Sequence, residues 1–131
     1  MTTTGNRHLE MTVNTDGTVI VTNKHGTQVV VDQDGLRGLS PLELLLAALG
    51  SCSAVDIALL MRKQRDPIEP FRVEVDGDKE EHRMEWLRVR YHPGEGHDER
   101  KLERAREKTA TDLCTVSRTL AGGCPVEHLV V

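Results

Sequence analysis

Aromatic residues are nearly missing from this chain, which has one Phe, one Trp and one Tyr in 131 residues. Its core must therefore be built from Leu, Val, Ile and Ala. Basic charge is also short: 17 Lys and Arg against 21 Asp and Glu give a formal net charge of −4, leaving no basic stripe for nucleic acid. The acidic excess is too slight to name a partner. Three cysteines do not make a disulfide framework in a reducing compartment, so each is core filler, metal ligand or redox group. Met1–Gly17 is polar and Thr-rich, with no cleavable apolar stretch, which predicts a cytosolic protein. The uncharged run Leu44–Val55 falls short of the roughly 18 to 20 residues a bilayer demands, so no membrane span is expected. With no repeat and no low-complexity segment, residues 1–131 read as a single domain with a small core.

The chain is organised around Ser40–Lys63. Ser40 stands where an N-cap belongs, Pro41 takes the first helical position, and Glu43 faces the positive end of the helix dipole. From Leu42 to Met61 the residues are apolar or small almost all round, with Glu43 and Asp56 the only charges. No polar stripe faces water, which predicts a buried core helix, kinked or interrupted near Gly50. So small a domain has little surface with which to hide such a helix, and a homodimer is expected.

Before the helix, Leu9–Asn14, Thr18–Thr22 and Gln28–Val31 read as a three-stranded meander, turning at Asp16-Gly17 and His25-Gly26. After it, Asp66-Pro67 and Pro70 stop helical geometry. Phe71–Val75 and Met84–Tyr91 read as strands joined by a solvated charged hairpin, Asp76–Arg83. A second helix is expected from Asp98 to Leu120, wet in its first half and buried in its second, with Gly122-Gly123 beyond its end. Pro125–Val131 reads as a closing strand.

A thiol on a buried helix is usually a packing residue. Cys52 and Cys114, however, each fall in the apolar part of one of the two long helices, which must pack together in a domain this small. That packing is able to bring them near the about 5.5–6 Å Cα separation of a disulfide, which suggests a reversible dithiol. Cys124-Pro125 imitates a redox turn, and Cys124 with His128 imitates a metal pair, but neither has partner ligands at a recognisable spacing. The remaining histidines are isolated on polar segments, leaving a Cys-His hydrolase without support.

The run Ser40-Pro41-Leu42-Glu43 through Ala48-Leu49-Gly50-Ser51-Cys52-Ser53-Ala54-Val55-Asp56, followed by Cys114-Thr115-Val116-Ser117 and Leu120, resembles the OsmC/Ohr family of thiol peroxidases, and most of all its YhfA-like OsmC branch. The resemblance implies an α+β fold: two long central helices wrapped by antiparallel β-sheets in an intertwined homodimer, with active sites at the subunit interface. It implies Cys52 as the peroxidatic and Cys114 as the resolving cysteine. The Ohr and OsmC branches carry a catalytic glutamate where this chain has Leu42; Glu43 lies one step on, as in the YhfA-like branch, a shift of about 100° on a helix. The family's active-site arginine precedes the first helix, which leaves Arg37 or Arg7. Thr115 replaces the proline that follows the second cysteine in Ohr.

The implied reaction is reduction of organic hydroperoxides, with Leu44, Leu45, Leu49 and Val55 as the apolar wall and a dihydrolipoyl-type dithiol as reductant. No cofactor and no metal is expected. A dimeric binding protein that kept the fold without the chemistry, and a zinc-stabilised module on Cys124 and His128, are the other readings.

Overall fold

Apolar and polar residues alternate about two glycine-containing loops to build the N-terminal sheet. The computed structural model describes residues 5–65 and 71–131 and divides into two units, Met1–Leu45 and Leu46–Val131. In the first, β1 (Glu10–Val13), β2 (Val19–Thr22) and β3 (Gln28–Val31) form an antiparallel meander in the order β1-β2-β3. Met11 pairs with Val21, and Val21 with Val29. Both hairpins close through the same sequence, Asn-x-x-Gly-Thr, at Asn14–Thr18 and Asn23–Thr27. In each the Asn N–H donates to the Thr carbonyl and the Asn carbonyl accepts from the Gly N–H, at 2.9–3.0 Å. Gly17 and Gly26 sit at φ 89° and 82°, where other residues are strained. In the first loop the Asp16 carboxylate takes both the N–H (2.9 Å) and the hydroxyl (2.6 Å) of Thr18, and in the second Asn23 Oδ1 accepts from the N–H groups of His25 and Thr27.

Helix α1 (Pro41–Lys63) starts as the sequence predicts. Ser40 Oγ accepts from the Glu43 N–H at 3.2 Å, and Glu43 Oε1 accepts from the Ser40 N–H at 2.9 Å, a reciprocal capping box. The expected break at Gly50 does not occur, since α1 runs unbroken through it. Gly50 instead admits the side chain of Val75: a Cβ there would lie 2.7 Å from Val75 Cγ2. Nor is α1 buried all round. Its buried residues, Leu49, Gly50, Ser53, Ile57 and Met61, recur mostly at four-residue steps and make one stripe, while Val55 and Leu59 are exposed. By length and composition alone the helix is able to cross a membrane; here its stripe enters a core with Leu102 and Ala105, flanked by Leu60, Phe71 and Tyr91.

In the second unit β4 (Arg72–Glu80) and β5 (Arg83–His92) form a two-stranded antiparallel sheet. The stretch expected to be a solvated connection is strand on both sides, leaving only Glu81-His82 as the turn, with Glu81 at φ 51°. The Asp66-Pro67 and Pro70 helix stop lies outside the described residues.

The expected second long helix is three pieces: α2 (Glu99–Lys108), a π-helical turn (Thr109–Leu113) and α3 (Thr115–Gly122). Asp98 caps α2 by accepting from the N–H groups of Arg100 and Lys101. The helix then fails where Thr109, Thr111, Asp112, Thr115 and Val116 crowd residues of low helix propensity together. Thr111 Oγ1 donates back to the Glu107 carbonyl at 2.8 Å, and Cys114 leaves helical geometry at φ −68°, ψ 103°. No residue of α3 is buried, contrary to the expected buried second half. Pro125–Val131 forms no strand and is exposed, since none of its backbone groups finds a neighbouring strand within the described residues.

Candidate functional site

Two elements carry the site. Along α1, Cys52, Ser53 and Asp56 occupy neighbouring positions, with Asp56 one helical turn beyond Cys52. Opposite them the chain leaves the π-helical turn and enters α3 through Cys114, which is fully buried. Cys114 is the N-cap of α3. Its Sγ accepts from the Ser117 N–H at 3.4 Å, the role a serine or aspartate oxygen plays at other helix starts. The Ser53 hydroxyl donates to the same sulfur at 3.3 Å and ties α1 to the cap. Cys52 Sγ, Cys114 Sγ and a carboxylate oxygen of Asp56 all lie within 4.8 Å of one another. The thiols are free, Cys52 partly exposed and Cys114 buried.

The electrostatics of Cys52 are a contest. The Val116 N–H, with that of Thr115 behind it, points at the sulfur from the start of α3 and favours the thiolate; burial and the adjacent Cys114 disfavour it. Burial and Cys114 win, leaving the Cys52 thiol above its ordinary value. Tyr91 of β5 interacts with the same groups. Burial raises its phenol, a hydrogen bond with Ser53 opposes this, and the charges of Cys114, Arg106 and Asp56 all reach it. Arg106 is held by Glu103 through Nη2–Oε1 at 2.6 Å.

Of the four residues expected in the site, the structure brings together Cys52 and Cys114. Glu43 is bonded in the α1 capping box. Arg37 forms ion pairs with Asp16 (2.9 Å) and Asp32 (3.5 Å). Arg7 donates to the Asn6 carbonyl. Cys124 and His128 are exposed, and neither enters the one metal-type cluster among the described residues. The apolar wall also differs from expectation. A groove of ≈ 310 Å³ is lined by Leu46, Ala47, Gly50, Ser51 and Ala54 of α1 with Val73 and Val75 of β4, and neither cysteine lines it. Ser53, Tyr91 and the N–H groups of Thr115 and Val116 were not anticipated. The Cys114-x-x-Ser117 spacing, that of an N-cap residue and its N3 partner, was the available signal for the last two.

The chain as a whole is similar to known proteins. The family described as OsmC-like protein matches residues 32–129. The chain belongs to the OsmC-like family. Protein YhfA of Escherichia coli K12 is 25% identical to it over 108 residues, covering 79% of this chain and 81% of that protein. Among solved structures, a hypothetical protein from Aquifex aeolicus is similar with a TM-score of 0.77 at 24% identity, covering 92% of this chain and 90% of that one. An OsmC-like protein from Mycoplasma pneumoniae is similar with a TM-score of 0.76 at 16% identity, covering 91% and 89%. These two likenesses carry the fold, a mixture of helices and antiparallel sheets. Membership of the OsmC-like family is consistent with a peroxidase or stress-related role.

Proposed function

We propose that the chain is a thiol peroxidase that reduces organic hydroperoxides in oxidative or osmotic stress, acting as a homodimer in the cytosol with residues 1–131 as one OsmC-like domain. The observation that carries this reading is the pair of free sulfurs, Cys52 and Cys114, within 4.8 Å. Joining them into a bond of about 2.05 Å needs side-chain rotation and a small approach of two elements, not refolding. Exposure sets the order of events. Cys52, reachable from solvent and facing the N–H groups of Thr115 and Val116, attacks the peroxide O–O bond as a thiolate, becoming a sulfenic acid and releasing the alcohol. Buried Cys114 then attacks the sulfenic sulfur and water leaves. The sum is two thiols plus ROOH giving one disulfide, ROH and water. A dithiol reductant, lipoyl-type by resemblance, reopens the disulfide by exchange.

Glu43 and Arg37 stand in this reading as residues the family resemblance points to, each with a hydrogen-bonding role of its own in the first unit. A non-catalytic dimeric binding protein is the second reading, favoured by the upward shift of the Cys52 thiol, which disfavours its nucleophilic form at neutral pH. Peptide mapping after one equivalent of cumene hydroperoxide separates the two. The peroxidase reading expects a Cys52–Cys114 disulfide, no turnover in Cys52→Ser, and consumption of about one equivalent in Cys114→Ser with arrest at the sulfenic acid. Cys52 left a free thiol with the peroxide unconsumed overturns the peroxidase reading and favours the second.

A further inference from the structure

We infer that the reduced site is also a binding site for a thiophilic divalent cation of the Zn²⁺ type, held by Cys52, Asp56 and Cys114. Three observations carry this. First, the donor set is two thiols and one carboxylate, whose ligand atoms already lie within 4.8 Å of one another. A tetrahedral zinc with bonds of about 2.3 Å to sulfur and 2.0–2.2 Å to oxygen wants its ligand atoms roughly 3.3–3.8 Å apart, so closure takes about an ångström and no backbone rearrangement. Second, Asp56 Oδ2 is buried and has no hydrogen-bond partner among the described residues, and no ion pair to Asp56 occurs among them. A buried carboxylate oxygen without a partner carries a desolvation cost that a cation removes. Third, the surroundings suit thiolate ligands. Ser53 Oγ and the Ser117 N–H donate to Cys114 Sγ, and the N–H groups of Val116 and Thr115 face Cys52; such outer donors orient metal-bound thiolates.

Three protein ligands leave a fourth position open to water, so this is an exchangeable rather than a closed structural site. The proposal uses the same thiols as the peroxide chemistry but stands without it. Its consequence for that chemistry is exclusion: a metal-bound Cys52 lone pair is unavailable to peroxide, and a Cys52–Cys114 disulfide has no thiolate to give the metal.

The test is a titration of reduced, chelator-treated full-length protein with Zn²⁺ against a chromophoric competitor, repeated with Co²⁺ to read thiolate-to-metal charge transfer and tetrahedral ligand-field bands. One equivalent is expected to bind to wild type and to Cys124→Ser alike. Asp56→Asn, which removes a ligand while keeping both thiols and the shape of the side chain, is expected to weaken Zn²⁺ at least about tenfold; Cys52→Ser, which leaves only the Cys114 thiolate, is expected to weaken binding and diminish the charge-transfer band. Unchanged Zn²⁺ affinity in folded Asp56→Asn overturns the proposal, as does binding lost on Cys124→Ser, or no binding by wild type. Hydroperoxide added to the reduced, metal-free protein separates this proposal from the peroxidase reading. Zn²⁺ binding by a protein whose metal-free form does not react with peroxide leaves the metal site standing and counts against the peroxidase, whereas peroxide oxidation of a protein that never bound Zn²⁺ does the reverse.

Discussion

Cys114 has two tasks at once, helix cap and redox partner, and the first shapes the second. Its sulfur accepts from Ser117 and Ser53, so it is held still against Cys52, and its proximity is one reason the Cys52 thiol titrates above the ordinary range. Replacing Cys114 by Ala removes that influence while leaving the Val116 and Thr115 N–H groups, so the Cys52 titration is expected to move to lower pH. Thiolate absorbance of the reduced, metal-free protein reads it; no movement, or movement upward, rules out the coupling. The sign for stability follows. A thiol raised in the folded state contributes stability that is present below its unfolded value and is lost as pH climbs through the folded one, so wild type is expected to lose more stability than Cys114→Ala on the alkaline side. Cys124→Ser, by contrast, is expected to leave peroxide consumption unchanged, since Cys124 is exposed and outside the cluster. The two thiols were legible because each stands alone in an apolar stretch. Ser53 and Tyr91 were not, because their place beside Cys114 depends on how β5 and α3 come to rest against α1, which no local spacing encodes.

At the level of elements, what sequence reveals is where a helix starts. The Ser40–Glu43 box and the Asp98 cap were readable because capping is local chemistry between residues two to three positions apart. Where a helix changes its winding is less local. Leu102, Ala105, Thr109, Leu113, Val116 and Leu120 keep a helical rhythm across the π-helical turn, which concealed the interruption that presents the Cys114 sulfur and the following N–H groups to Cys52. Gly50 misled in the other direction. It looked like a break and is a contact, filled from β4 by Val75. Gly50→Ala therefore sets a clash of typically 1–3 kcal/mol against a helix-propensity gain of about 1 kcal/mol. The substitution is expected to destabilise wild type and to stabilise a Val75→Ala background. Urea denaturation of the four proteins of that double-mutant cycle decides it; additive effects would mean that Val75 is not what Gly50 accommodates.

For the molecule as a whole, the outward side of α1 is the unfinished part. Val55 is 60% and Leu59 51% exposed, and the apolar tail residues Val126, Leu129, Val130 and Val131 are uncovered. Surfaces of this kind are ordinarily covered by something, and we expect a second copy of the chain to cover this one. Light scattering at micromolar concentration is expected to give twice the chain mass of 14.6 kDa; a monomer removes the proposal. Leu59→Glu is expected to shift the population toward monomer without touching either thiol. The sheets, the long helix and the thiol pair were visible in the sequence because they rest on periodicity and caps. The fate of the exposed side chains was not, because the pattern of α1 records only that water is avoided and not what replaces it. That exposed side gives dilution a direct hold on the protein. If Val55 and Leu59 are sheltered only by association, then protein taken to nanomolar concentration sheds its partner and wets the face of α1 that adjoins Cys52 and Asp56. Activity per chain would then fall with concentration, and assays at very low enzyme would report subunit separation rather than chemistry.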